Sequence, residues 1–336
     1  MEGNVFKEQY LERLQVAKQM MAETNKASVL FMVQIPDREN NDLLLPITRE
    51  SLSNIICFVE IGDASLVDFI IEQAEGIIDK IVLDVDYKRA ASREIIEAVR
   101  NQNRIPVMEY SDLKMWGDSS VDFVLQNEKN HLPLRVLLLG HSYLTTHILQ
   151  SFLLRDVDIY MLPEDYLDEY ALDDHVQVAI RSKRLHRVEA EKEFDIIIGS
   201  NLKREYDCKR LESISAKSVY DIGLQNFSRE YISSLMAKGV EVYRFDNRAA
   251  VSSVVLNLME TDELIKHVMG RAEIADMHIV SGGLMGRKGD FVVDHITSPC
   301  SVLGIADGHG SFIHEYDYTD EERERIVKLK NAIDKR

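Results

Sequence analysis

Residues 135–142, Arg-Val-Leu-Leu-Leu-Gly-His-Ser, read as a strand that turns directly into a helix. A helix starting there aims its backbone N–H groups and the positive end of its dipole beyond the strand, which makes a seat for phosphate. A dinucleotide fingerprint would place Gly at 140, 142 and 145, and the chain has Gly140, Ser142 and Thr145. Ser142 brings a Cβ and a hydroxyl to where a pyrophosphate would pass, and can donate a hydrogen bond there. The alternative is a strand–helix turn that needs one glycine and binds nothing. Glu164 and Asp165 come about 24 residues after Gly140, near the roughly 20-residue offset at which an acid meets ribose hydroxyls. Gly199-Ser200-Asn201 and Asp221-Ile222-Gly223 close two further apolar runs. Each can line the ribose on the nicotinamide side or make an ordinary turn. On the binding reading, Gly140, His141 and Ser142 hold a pyrophosphate, Glu164 a ribose, and Ser200, Asn201, Asp221 and Gly223 the remaining half.

Proton transfer has three candidates: Lys88, His295 and His309. Lys88 follows Asp84 and Asp86 at the end of an apolar run, where an ammonium and a carboxylate would suit a carbonyl substrate. Asp86 is equally a natural cap for a helix starting near residue 90. His295, Cys300, Asp307, His309 and His314 are metal-ligand types, but their spacing fits no compact finger and no metal site is assigned. Asp307-Gly-His-Gly310 can instead form a flap carrying one acid/base histidine, or a hairpin that seals a core. Arg248 is placed for a substrate carboxylate or a phosphate, with a salt bridge to Asp246 as the alternative.

The elements that would position these groups alternate. An amphipathic helix over 5–23, with Phe6, Tyr10, Leu14 and Ala17 at helical spacing, precedes strands at 28–35 and 54–61. Thr48 can cap a short helix between the two. Helix 64–77, strand 79–85, helix 90–102 and strand 104–109 follow, a pattern of βαβ units. The polar stretch 111–133, with Gly117 and Trp116, has the weakest pattern and reads as a junction. Alternation resumes with strands at 135–140, 156–162, 175–180, 194–200, 218–223 and 240–245 and helices at 142–154, 228–238 and 250–268. Residues 276–314 are broken by glycines and read as two or three antiparallel strands, and a charged helix from Asp320 closes the chain.

Across 336 residues, 40 Lys+Arg against 57 Asp+Glu give a net charge of −17. That disfavours non-specific binding to nucleic acid, which needs a positive surface. Apolar residues make up 45%, ordinary for a globular chain, yet no apolar run approaches the roughly 18 residues of a membrane span. The first residues lack the basic-then-apolar pattern of a signal peptide, and three scattered cysteines imply no disulfide framework. The expectation is a cytoplasmic protein without membrane or nucleic-acid partners.

The succession of an N-terminal α/β part, RVLLLGHS, FDIIIGSN, SVYDIG, a helix and AKGVEVYRFDNRAAV resembles two-domain Rossmann dehydrogenases of the methylenetetrahydrofolate and shikimate types. In the first of these a Gly-x-Ser turn replaces the glycine fingerprint, and Gly140-His141-Ser142 is similar. The resemblance spans roughly residues 60–250. Thr146 departs from it, standing where a second glycine is expected; no lysine matches the family's catalytic one, and 276–314 has no counterpart. What it implies is a nucleotide-binding architecture with NAD or NADP. The resulting expectation is an α/β protein of two α/β domains, 1–130 and 131–275. The second is Rossmann-like with a mostly parallel sheet, and a glycine-rich β segment with a closing helix follows at 276–336. The expected activity is NAD(P)-dependent oxidoreduction of a small carbonyl or hydroxy substrate in a cleft between the domains, in a possible homo-oligomer. The alternatives are a regulatory Rossmann-like binding protein, or a transferase or biosynthetic accessory protein using another nucleotide-type ligand.

Overall fold

A computed structural model describes residues 2–34, 48–88, 90–128, 133–155, 157–163, 165, 184–189, 192–201, 205–245 and 248–335. The expected strand at 175–180 and Glu164 lie outside the described residues, as does the side chain of Arg248. The chain divides into two compact units, residues 1–254 and 255–336. The division into 1–130, 131–275 and 276–336 is kept as a proposal for separately folding parts, the second of which crosses from one compact unit to the other.

The first unit holds two sheets. In the first, β1 (Ala27–Gln34), β3 (Asn54–Ile61), β4 (Lys80–Asp84) and β5 (Val107–Tyr110) run parallel, and a short β2 (Arg49–Glu50) pairs antiparallel with β3. The order is β2-β3-β1-β4-β5. These strands are nearly unbroken apolar runs because both faces of a parallel sheet are covered. One face packs against Phe6, Tyr10, Leu14 and Ala17 of α1 (Glu2–Thr24), and against α2 (Val67–Ala74) and α3 (Ser92–Asn101). Thr48 caps no helix; its hydroxyl donates to the Arg13 carbonyl at 3.3 Å, and β2 begins at the next residue.

The stretch read as a junction is mostly helix. In α4 (Asp112–Asn127), Ser111 caps the first turn by accepting from Lys114 N–H, and Met115, Val121 and Val124 are buried. Gly117 does not mark a loop. A Cβ there would lie 2.6 Å from His147 Cβ, so the glycine lets α4 pass close to α5 (Tyr143–Leu153). Trp116 lies edge-on to Phe245 at 5.2 Å.

The second sheet contains β6 (Leu134–Leu139), β7 (Val157–Met161), β8 (Leu185–Arg187), β9 (Glu193–Gly199), β10 (Ser215–Asp221) and β11 (Glu241–Arg244). All are parallel, in the order β11-β10-β9-β6-β7-β8. Numbered along the chain from β6, this is 3-2-1-4-5-6, the doubly wound arrangement in which strand order reverses beside the first strand. Leu137, Leu139, Ile197 and Val219 face Leu235 of α6 (Arg229–Ala237) on one side, while α5 packs on β6 and β7. α7 (Arg248–Glu263) follows β11, and its Val251 and Ser252 line a small cavity with Arg49, Ile56 and Phe58 of the first sheet.

The second unit has four strands, β12 (Gly270–Ile274), β13 (Met277–Ser281), β14 (Phe291–Val293) and β15 (Val302–Ile305), of which three fall within 276–314. Two pairs are antiparallel, but β13 and β14 are parallel. Gly282, Gly283 and Gly289 adopt positive φ in the connection that brings the chain back in the same direction. α8 (Asp320–Ile333) begins with a Thr319–Glu322 capping box and buries Leu329 and Ile333 against this sheet.

Candidate functional site

In an open parallel sheet the ligand crevice lies beyond the carboxyl ends of the strands where the order reverses. Here that point falls between β6 and β9, and it brings together Gly140, His141, Ser142, Ser200 and Asn201. Gly140 has φ +123°, and a Cβ on it would lie 2.8 Å from Asn201 Oδ1, 2.9 Å from Thr145 Oγ1 and 3.0 Å from Ser200 Oγ. Glycine is needed there both for conformation and for space.

The tip of α5 is closed by its own hydroxyls. Ser142 N–H donates to Thr145 Oγ1 at 3.0 Å, and Thr145 N–H donates to Ser142 Oγ at 3.3 Å. Ser142 Oγ donates in turn to the Ser200 carbonyl at 2.8 Å, and Ser200 Oγ to the Leu139 carbonyl at 2.8 Å. His141 N–H donates to Asn201 Oδ1 at 3.3 Å. Positions 142 and 145, where a fingerprint would carry glycine, thus carry a capping box that ties α5 to β9. The first-turn donors left to an anion by this arrangement are the N–H groups of Tyr143 and Leu144.

Beside the tip, Asp165 is buried after β7, its side chain only 3% exposed. Its Oδ2 accepts from Tyr206 OH at 3.0 Å, and its Oδ1 lies 3.5 Å from Nδ1 of half-exposed His141. Sequence alone gives no sign of Tyr206. It lies 41 residues from Asp165, in a polar stretch with no periodic signal.

Asp221 and Gly223 close β10 next to this region. Asp221 accepts from Gln225 N–H at 2.9 Å and Asn226 N–H at 3.0 Å, holding a turn in which Leu224 and Gln225 have positive φ. Asn226 Nδ2 donates to the Asn201 carbonyl, so the ends of β9 and β10 are fastened to each other. The turn reading and the pocket reading therefore meet in the same residues.

At the carboxyl edge of the first sheet, β4 and β5 are neighbours, so the segments following them abut. Lys88 Nζ lies 2.7 Å from Asp84 Oδ2 and 2.5 Å from Asp112 Oδ2, and its side chain is 5% exposed. Tyr110 OH donates to Asp112 Oδ1 at 3.2 Å, while Gln34 N–H donates to Asp84 Oδ2 at 3.1 Å. Asp86 does not cap α3; it accepts from Ser111 Oγ at 2.8 Å and Leu113 N–H at 2.7 Å, fixing the start of α4. Burial pushes the Asp84 carboxyl up to about 6, a rise that Lys88 opposes and Asp112 reinforces. Burial draws the Lys88 ammonium down, but Asp112 and Asp84 outweigh it and hold the group above its ordinary value. Lys88 is thus a sealed, protonated donor between two acids.

The raised Asp84 value has a consequence for stability. Between pH 4 and 6 the folded chain keeps a proton that the unfolded chain has lost, so this group's contribution falls as pH rises through that window. Relative to Asp84→Asn, the wild-type chain should therefore gain about 2 kcal/mol between pH 7 and pH 4.5. Urea midpoints of both proteins across this range, read from Trp116 fluorescence, check it; parallel pH profiles would refute it.

In the second unit, His295 is half-buried and His309 exposed. Asp307 accepts the His309 and Ser311 N–H groups, and Asp294 accepts those of His295, Cys300 and Ser301. Both carboxylates are loop staples. Among the described residues no group of three His, Cys, Asp or Glu is placed to hold a metal ion, and no helix is long and apolar enough to cross a membrane.

The first unit is therefore of the doubly wound α/β class, with a second parallel sheet preceding the Rossmann-type one. No protein-family model matches the chain, and no curated protein does. Solved structures similar to it at the level of fold include dehydrogenases. L-tryptophan dehydrogenase from Nostoc punctiforme is 13% identical over 65% of this chain and 69% of its own, with a TM-score of 0.36. Hetero-hexameric glutamate dehydrogenase from Thermus thermophilus is 12% identical over 71% and 68%, with a TM-score of 0.41. Aspartate transcarbamoylase from Trypanosoma cruzi, which is not a dehydrogenase, is 12% identical over 70% and 85%, with a TM-score of 0.36.

Proposed function

We propose that the chain is an NAD(P)-dependent oxidoreductase acting on a small carbonyl or hydroxy compound. The observation that carries the reading is the meeting of positive-φ Gly140, the α5 N-terminus and Ser200-Asn201 at the reversal point of a 3-2-1-4-5-6 sheet. A pyrophosphate would take the Tyr143 and Leu144 N–H groups across the bare Cα of Gly140, with His141 and Ser142 flanking it. Ser200, Asn201 and the Asp221–Gly223 turn would border the nicotinamide half, and Glu164 the ribose of the other half. The cofactor supplies the hydride. Lys88 would give or take the proton at the substrate oxygen, and we favour it over His295 and His309 because Asp84 and Asp112 keep it charged. Asp86 and Arg248 would orient the substrate. A cytoplasmic location and a homo-oligomeric state belong to the same proposal.

A second reading is a regulatory or non-catalytic Rossmann-like protein. It is favoured by the enclosure of Lys88 between two carboxylates and by the hydroxyl box that closes the α5 tip. Titration of the purified chain with NADH and NADPH, followed by nicotinamide fluorescence, separates the two. The oxidoreductase reading expects saturable binding of at least one. It also expects Ser142→Asp to weaken that binding by tenfold or more, since a carboxylate would face the phosphate. Aspartate caps helices as well as serine, so the variant should remain folded. No binding of either dinucleotide at millimolar concentration removes the oxidoreductase reading.

A further inference from the structure

We infer that β12 is a dimer interface of this chain: it pairs antiparallel with β12 of a second copy, centred on Ala272, and joins two four-stranded sheets into one. The inference gives the homo-oligomeric state proposed above its surface and rests on that part of the reading, not on the dinucleotide. β12 and β15 are the edges of their sheet, and an uncovered edge offers a row of backbone donors and acceptors to another strand. The β15 edge is blunted. Its register against β14 shifts, and the chain folds back so that Phe312 bridges Ala306 and Ile313 N–H donates to the Ile305 carbonyl at 2.9 Å. β12 keeps a regular register over all of Gly270–Ile274, and among the described residues no strand pairs with its outer side.

The ladder fixes which backbone groups of β12 face outward. Ala275 and Asp276, both at positive φ, form the turn into β13, so Ile274 and Met277 exchange both their backbone bonds and the pattern alternates from there. Gly270, Ala272 and Ile274 therefore spend their N–H and C=O groups on β13, while those of Arg271 and Glu273 point away from the sheet. A two-fold axis can be centred on any residue from Arg271 to Glu273. Centring on Arg271 sets guanidinium against guanidinium, and centring on Glu273 sets carboxylate against carboxylate, each a destabilising like-charge pair. Centring on Ala272 sets Arg271 of each copy opposite Glu273 of the other, the self-complementary contact that an isologous interface requires. Arg271 and Glu273 then exchange backbone bonds across the axis, and the two Ala272 residues take the non-hydrogen-bonded position, where strands approach most closely. Both charged residues are exposed. Arg271 Nη1 donates to Asp290 Oδ2 at 2.7 Å and Nη2 to the Met285 carbonyl at 3.4 Å, and the guanidinium has further N–H donors for a carboxylate. Glu273 stands across from exposed His278 of β13 and has no ion-pair partner among the described residues.

The test is sedimentation of the full chain across micromolar concentrations, as wild type and as Glu273→Arg, with mild oxidation of Ala272→Cys and Glu273→Cys made in a Cys300→Ser background. The wild type should run as a dimer that dissociates on dilution. Glu273→Arg puts arginine opposite arginine at both symmetric pairs and should raise the dissociation constant about tenfold or more. It alters an exposed side chain only, so its circular dichroism should match the wild type. Ala272→Cys should give a disulfide-linked dimer, since facing thiols at a non-hydrogen-bonded pair lie within bonding reach. Glu273→Cys, although more exposed, should not, because position 273 of one copy lies opposite 271 of the other. A dimer that Glu273→Arg leaves equally tight, or that links through 273 and not 272, overturns the interface and leaves the homo-oligomeric reading standing. A chain that is monomeric at every concentration removes both, and leaves the dinucleotide reading untouched.

Discussion

Replacing Lys88 with methionine should lower stability by about 3–5 kcal/mol at pH 7.5, the range for removing one partner of a buried ion pair. The stems of the two side chains are similar in length, so little packing is lost. What is lost is the ammonium between Asp84 and Asp112, which stand 2.7 and 2.5 Å from its nitrogen. Two carboxylates would be left enclosed together, and one escape open to the folded chain is to take up a proton. Asp84, already raised to about 6 with the lysine present, would rise further. The deficit should therefore shrink as pH falls from 7.5 to 5, because protonation removes the repulsion that the substitution exposes. Lys88→Arg preserves the charge but not the fit, and should fall between wild type and methionine. Urea unfolding of the three proteins at both pH values, followed by Trp116 fluorescence, is the measurement. A methionine variant as stable as wild type at pH 7.5, or one whose deficit grows on acidification, would show that this triad is not an enclosed charge cluster.

The triad also marks where sequence reading stops. Asp84, Asp86 and Lys88 are visible as a group because they are close in the chain. Asp112 joins them only because β4 and β5 are adjacent and parallel, a pairing that no local pattern encodes. The same holds for Asp165 and Tyr206, which meet because the segments after β7 and β9 leave the same edge of the sheet. Strands buried on both faces were legible as apolar runs: NIICFVEI is β3 without adjustment, and Phe194–Ser200 is β9 displaced by one residue. Helix α4 was not legible, because Gly117 and a polar Asp-Ser-Ser carry a loop signature. Its glycine instead answers the approach of α5, a tertiary demand. Against a glycine fingerprint, Ser142 and Thr145 are losses. In the fold they are also gains, since their hydroxyls cap α5 and bind it to β9. Glycine at either place would give an anion a closer approach to the helix tip and would cost the cap.

Gly223→Ala tests how tightly that edge is fastened, and its effect should exceed what its backbone conformation implies. The residue does not have positive φ, so strain is not the issue. A Cβ at 223 would overlap the Asn201 carbonyl oxygen and lie 2.6 Å from the carbonyl carbon and 2.7 Å from Asn226 Oδ1. The first two are backbone atoms and have no rotamer to escape into. Overpacking of this kind costs roughly 1–3 kcal/mol where side chains can move, and more where they cannot; about 3 kcal/mol or more is expected here. Gly239→Ala is the contrasting control. Its φ is +79° but a Cβ there meets nothing within 4 Å, so only the left-handed penalty of about 1–2 kcal/mol applies. The substitution at the ordinary φ should therefore be the worse of the two. It should also reach the reversal point, because Asn201 carries both the carbonyl that Asn226 holds and the Oδ1 that receives His141 N–H. Displacing Asn201 moves the residue that stands against Gly140, so whatever dinucleotide affinity the wild type has should fall in Gly223→Ala and persist in Gly239→Ala. Urea midpoints together with NADH and NADPH titrations of both variants read this directly. Equal stability losses would mean that the ends of β9 and β10 can separate freely, and then the fastening between Asn201 and Asn226 could not be what holds the crevice in shape.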